Sequence, residues 1–151
     1  GWSCTAPSGD CGTGAFAGPP EGVAHFWGFQ NAAPDGVLTQ SLATGAGESY
    51  SISFQYNSSS DEPTNTLSLT VGDLIAVLDV QVGVWKTYSG SFTASGASTA
   101  LDFLFRTLGG SGTVQLDAVV VDRLSTVPAP GGLALVLAAL GLAAAARRKR
   151  A

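Results

Sequence analysis

The chain has 151 residues, is only 12% charged, and holds a single histidine. All eleven acidic residues precede Ser125, accompanied there by just Lys86, Arg106 and Arg123; a body this acidic repels phosphate backbones, which excludes nucleic-acid binding. One histidine rules out a multi-histidine metal centre, and no Gly-x-Ser-x-Gly elbow is present to serve a triad built on His25.

Cys4 and Cys11 stand in a Gly/Pro/Ser-rich stretch with no further cysteine or nearby histidine. In an exported protein this pair reads as a small disulfide-closed loop, the alternative being two free thiols. The segment "VAHFWGF" then reads as a strand. Phe26 and Phe29 are read as unable to share the face of Trp27, so one of these aromatics is expected exposed or at an edge, and Trp27 is favoured.

From Leu38 to Leu124 the chain is dominated by alternation. "LTQSLA" and "SYSISFQY" read as strands joined by the turn "TGAGE", with Tyr50, Ile52, Phe54 and Tyr56 on one face of the second. After the polar loop "NSSSDEPTN", Leu67, Leu69 and Val71 alternate, and "DLIAVLDV" comes after a turn at Gly72. "WKTYSGSFTA" keeps Tyr88, Gly90 and Phe92 in step, with Trp85 expected to be displaced by a bulge. "ALDFLFR" aligns Leu101, Phe103 and Phe105, and "LGGSG" turns the chain into "TVQLDAVVVDRL". Seven or eight strands with turns every 8–12 residues and no helix before the tail predict an all-β antiparallel sandwich.

Within this body, Asp61 and Glu62 are adjacent loop residues before Pro63 and suit a solvated turn better than a glycosidase pair. Asn57-Ser58-Ser59 has the form of a glycosylation acceptor but reads as loop. Trp27, Trp85 and Tyr56 are the candidates for stacking on the apolar face of a sugar ring, with core packing the competing role, above all for Trp85.

The end of the chain is of another kind. Gly131 to Ala146 carries no charged or hydrogen-bonding side chain. As a helix it spans roughly 24 Å, against a hydrocarbon core of about 30 Å. Pro128 and Pro130 bar the helix from running back into the body, and Arg147, Arg148, Lys149 and Arg150 come next as a cationic cluster that stays cytoplasmic. The expected layout is a sandwich over 1–124, a Pro-rich linker over 125–130, a single C-terminal transmembrane helix over 131–146 and a basic tail over 147–151.

This order of short motif, apolar helix and basic end resembles the PEP-CTERM sorting signal of Gram-negative bacteria. Val127, Pro128, Ala129 and Pro130 take the motif position, with Ala129 where the family usually has Glu. The resemblance implies an exosortase-type processing enzyme as partner, transient anchoring in the inner membrane with the body on the periplasmic side, and a final place at the cell surface or outside it. It also implies a link to exopolysaccharide and biofilm.

The body itself, in "GVLTQSLATGAGESYSISFQY", "WKTYSGSFTASGASTALDFLF" and "GSGTVQLDAVVVD", resembles jelly-roll, galactose-binding-like domains related to carbohydrate-binding modules. In that family a strand of Asn-Gly-x-Phe-Glu type precedes the "GW" seen here as Gly1-Trp2, so the chain reads as lacking its first strand and signal peptide. The resemblance gives Asp117 either a structural Ca²⁺ or a bond to a neighbouring loop, and no other cofactor. The leading expectation is a non-enzymatic surface or matrix protein; the alternative is a lectin-like module that binds polysaccharide.

Overall fold

The computed structural model describes residues 1–15, 18, 20–22, 24–59, 65–107 and 112–125. The sorting motif, the apolar run, the basic cluster and the Asp61–Glu62 pair lie outside them. The described residues form ten strands: β1 (Ser3–Thr5), β2 (Gly9–Gly14), β3 (His25–Gln30), β4 (Gly36–Ala43), β5 (Ser49–Ser58), β6 (Asn65–Val71), β7 (Leu74–Leu78), β8 (Lys86–Thr93), β9 (Ser98–Thr107) and β10 (Val114–Arg123). All pair antiparallel, in two five-stranded sheets. Sheet I runs β1-β4-β9-β6-β7 and sheet II runs β2-β3-β10-β5-β8. The all-β sandwich expected from the alternation is what the chain forms.

Period-two patterning decides which residues meet between the sheets. Ile52 and Phe54 of β5 face Leu67, Leu69 and Val71 of β6 and Leu101, Phe103 and Phe105 of β9, all essentially without solvent exposure. Phe54 meets Phe103 edge to face across the gap, with ring centroids 4.9 Å apart. Tyr56 belongs to the same buried set at 7% exposure. It therefore cannot stack on a sugar at the surface, which corrects its place among the candidates. The alternation that put it beside Phe54 had already assigned it inward.

Phe105 of β9 is closely enclosed, by β3 across the gap and by its own neighbour β4. A Cβ on Gly28 of β3 would stand 2.7 Å from this ring, and one on Gly36 of β4 2.4 Å from it. Glycine at these two positions lets the aromatic lie between the sheets.

Two irregularities depart from the expected pattern. No bulge interrupts the β5–β8 ladder, and Trp85 lies just before β8. The bulge is in β10 instead, where Ala118 and Val119 together oppose the single residue Phe54 of β5, and Ala118 takes a positive φ of 52°. The extra residue reverses the parity of the strand: Leu116 points inward, and after the bulge Val119 and Val121 pack against the core while Val120 and Asp122 face out. The N-terminus also differs from its loop-like reading, because β1 and β2 are strands of opposite sheets. The expected disulfide joins them, with Cys4 bonded to Cys11.

Candidate functional site

On β3 the residues Phe26, Gly28 and Gln30 turn inward, and Phe26 packs on Phe105 with centroids 5.8 Å apart. His25, Trp27 and Phe29 turn outward. Residues two apart on a strand share a face, so Phe29 lies on the face of Trp27 and not opposite it. Their rings are parallel within 9°, with centroids 6.5 Å apart, and both are half-buried. Phe26 alone occupies the other side.

Register supplies the neighbours of this strip. Trp27 is opposite Gly12 of β2 on one side and Gln115 of β10 on the other, and Gln115 is in turn opposite Asn57 of β5. The polar residues form a connected row. Asn57 Nδ2 donates to Gln115 Oε1 at 3.4 Å, and Gln115 Nε2 to Thr113 Oγ1 at 3.5 Å. Thr113 donates to Ser59 Oγ from its backbone N–H at 2.8 Å and its hydroxyl at 3.1 Å. Between strip and row lies a groove of about 240 Å³, lined by Trp27, Phe29, Ser59, Thr113 and Gln115. Asn57 and Ser58 are buried at the end of β5, so the reading of Asn57-Ser58-Ser59 as loop does not hold for its first two residues.

The other end of the same face is closed. Trp85 meets His25 edge-on with centroids 5.4 Å apart, although β10 and β5 lie between β3 and β8. The Trp85 indole thus reaches over two strands and covers His25, which is 2% exposed. Trp85 is half-buried, outside the core cluster, and does not line the groove. Its role is a cover, neither the core residue nor the stacking platform that were its two readings. Burial holds the His25 imidazole below its ordinary pKa, against the opposing pull of Asp117.

Asp117 sits at the bulge. Its carboxylate accepts the Glu21 N–H at 3.0 Å and the Ala118 N–H at 2.8 Å. Both oxygens are taken by backbone donors, and no group of three or more His, Cys, Asp or Glu gathers among the described residues. A calcium ion requires six or more oxygens. The bond to the Glu21 loop is the role of Asp117 that the geometry carries.

Charge is absent from the groove. Each Lys or Arg among the described residues is ion-paired elsewhere: Lys86 with Asp79 at 2.8 Å, Arg106 with Asp35, and Arg123 with Glu48. Gln115 is without solvent exposure and braces the row from behind; the Thr113 and Ser59 hydroxyls beside two parallel rings present both an apolar face and hydrogen-bonding groups, the combination a sugar ring requires. Of the sequence candidates, only Trp27 lies in the groove. Phe29, Gln115, Thr113 and Ser59 were not singled out. For Phe29 the signal was the two-residue spacing from Trp27; for the others it was cross-strand register, which one strand read alone does not contain.

No family model and no curated protein matches the chain. Solved structures do. The CBM22-1 xylan-binding domain from Paenibacillus barcinonensis Xyn10C is similar over 83% of this chain and 87% of that one, with a TM-score of 0.64 and 15% identity. TmCBM61, solved in complex with β-1,4-galactotriose, gives 0.64 and 14% over 82% and 88%. The CBM22-1–GH10 modules of Clostridium thermocellum Xyn10B, complexed with xylohexaose, give 0.65 and 16%; the match covers 83% of this chain and 26% of that larger one. The described body is an antiparallel sandwich with the fold of carbohydrate-binding modules.

Proposed function

We propose that the body is a non-catalytic carbohydrate-binding domain that takes a neutral polysaccharide on the outer face of sheet II. The observation that carries this reading is the parallel Trp27–Phe29 pair beside the uncharged Gln115–Thr113–Ser59 row. Pyranose C–H faces lie on the rings, and the sugar hydroxyls exchange hydrogen bonds with Thr113 and Ser59, the accessible end of the row. The nearest charges by register are acidic: Asp10 is opposite Phe29, and Asp117 is two residues from Gln115 on the same strand. Uronate and sulfated chains are therefore disfavoured. The likeness to a xylan-binding domain and to a module solved with β-1,4-galactotriose supports this choice, and it moves sugar binding ahead of the matrix role that led the sequence reading.

The tail is the ground for a second, compatible proposal: delivery across the inner membrane by an exosortase-type route, the body ending at the cell surface or beyond it. Among the described residues no helix is long and apolar enough to cross a membrane, and residues 131–146 lie outside them. Mass spectrometry of the exported protein from its native host tests the proposal. A mature C-terminus near Pro130 is expected, and an intact basic end on secreted material overturns it.

Calorimetric titration against a panel of neutral and acidic polysaccharides tests the binding reading. Binding is expected to neutral chains and to fall about 30-fold on Trp27→Ala, the scale of a central aromatic contact. Equal affinity of the parent and the variant for every polysaccharide sinks it.

A further inference from the structure

The aromatic side of the groove is carried by β3, whose other neighbour is β2, an edge strand that among the described residues pairs only with β3. At its start, Ser8 is fastened to β3: its N–H donates to Gln30 Oε1 at 3.0 Å and its carbonyl accepts from the Asn31 N–H at 3.3 Å. Further along, it is fastened covalently, because Cys11 is bonded to Cys4 of β1, the edge strand of the other sheet. The next residue is Gly12, the register partner of Trp27.

Gly12 is not in the left-handed region, so its backbone does not call for glycine. The indole does. A Cβ at Gly12 would stand 3.1 Å from Trp27 Cζ2, 3.3 Å from Cε2 and 3.5 Å from Nε1. Three atoms of one ring at such distances mean that the indole leans across β2 and rests on this residue. A side chain here would push the ring away from the sheet and out of line with Phe29.

We infer that β2 is the positioning element of the aromatic strip: Gly12 is the seat of the Trp27 ring, and the Cys4–Cys11 bond holds that seat in place. This rests on the sugar-binding reading for its effect on affinity, but not for its effect on the ring. Cys4 and Cys11 are thus positioning residues for ligand binding and not merely a staple of the N-terminus. A pre-set ring avoids the ordering cost of a mobile side chain, which is worth about tenfold in affinity.

The test uses the full 151-residue chain, held in mild detergent, as Gly12→Val, Gly12→Ala and the double variant Cys4→Ser/Cys11→Ser. Each is made also in a Trp2→Phe/Trp85→Phe background, where Trp27 is the only fluorophore of its kind. Far-UV circular dichroism checks that the sandwich is retained; should Gly12→Val not fold, Gly12→Ala and the serine pair carry the test. Affinity for the best neutral polysaccharide is expected to fall about tenfold in Gly12→Val and in the serine pair, and less in Gly12→Ala. Trp27 emission is expected to shift red and lose anisotropy in the same order. Folded variants that bind and emit as the parent does overturn the inference. If the parent binds no polysaccharide, the sugar reading fails by itself, and unchanged Trp27 emission is then what overturns the positioning role.

Discussion

The outer face of sheet II spends its two tryptophans in opposite ways. At one end Trp85 folds back over β5 and β10 and hides His25. At the other Trp27 lies beside Phe29 and borders a groove. The difference comes from what each ring has beneath it. Trp27 has a glycine as its strand neighbour and can settle beside the sheet. Trp85 enters from outside the ladder, just before β8, and extends until it meets a buried imidazole. One ring covers a buried group; the other, in the proposed function, is the one that binds.

Breaking the two rings separately sharpens that contrast. Trp27→Ala is expected to lose most of the binding while the melting temperature stays near that of the parent. Trp85→Ala is expected to do the reverse. It uncovers His25 and removes a large packed side chain, which costs about 2 kcal/mol of stability, or roughly 8 °C in a domain of this size, with sugar affinity changed less than threefold. Differential scanning calorimetry and titration on the same samples read both effects. A Trp85→Ala protein that keeps its melting temperature but no longer binds reverses the assignment.

The covered end should also respond to acid. Burial lowers the pKa of His25 in the folded chain, with Asp117 acting in opposition, while the unfolded chain keeps the ordinary value of about 6.5. Above that value imidazole is neutral in both states and the contribution to stability is complete. As pH falls below it, the unfolded chain takes up the proton first, so stability declines towards the folded pKa. Urea melts at pH 7.5, 6 and 5 are expected to show this decline, and His25→Gln is expected to flatten it. A parent whose midpoint does not move over that range would remove the histidine from the account.

The contrast also marks how far the sequence could be read. The strands from Ser49 to Arg106 were legible because each alternates over five or more residues, and the sheet faces came from parity. β1 and β2 were not, because Ser, Gly, Thr and Cys carry no hydrophobic period; their pairing with β4 and β3 supplies the order that their own side chains do not. The bulge in β10 was hidden in "LDAVVVD", where a run of valines satisfies either parity. Of the site, Trp27 was singled out on the premise that neither phenylalanine shared its face; Phe29 does share it, and the ring is half-buried on an inner strand. The polar row was not legible, since Gln115, Thr113 and Ser59 come together only through the pairing of β10 with β3 and β5.

The smallest effect is expected on the far side of the molecule. The outer face of sheet I also carries exposed apolar side chains: Ile75 and Val77, 74% and 82% exposed, stand on its edge strand β7. They differ from Trp27 and Phe29 in what surrounds them. Their register partners on β6 are Thr70 and Ser68, and the two side chains are small and aliphatic, with no flat ring to meet a sugar. Little is buried at either position, so Ile75→Thr and Val77→Thr should each change stability by no more than about 0.5 kcal/mol and leave polysaccharide affinity where it was. Titration and thermal melts of these variants beside Trp27→Ala check the point. A loss of affinity here comparable to that of Trp27→Ala would mean that exposure of apolar surface, and not the arrangement of rings and hydroxyls on sheet II, is what the polysaccharide recognises.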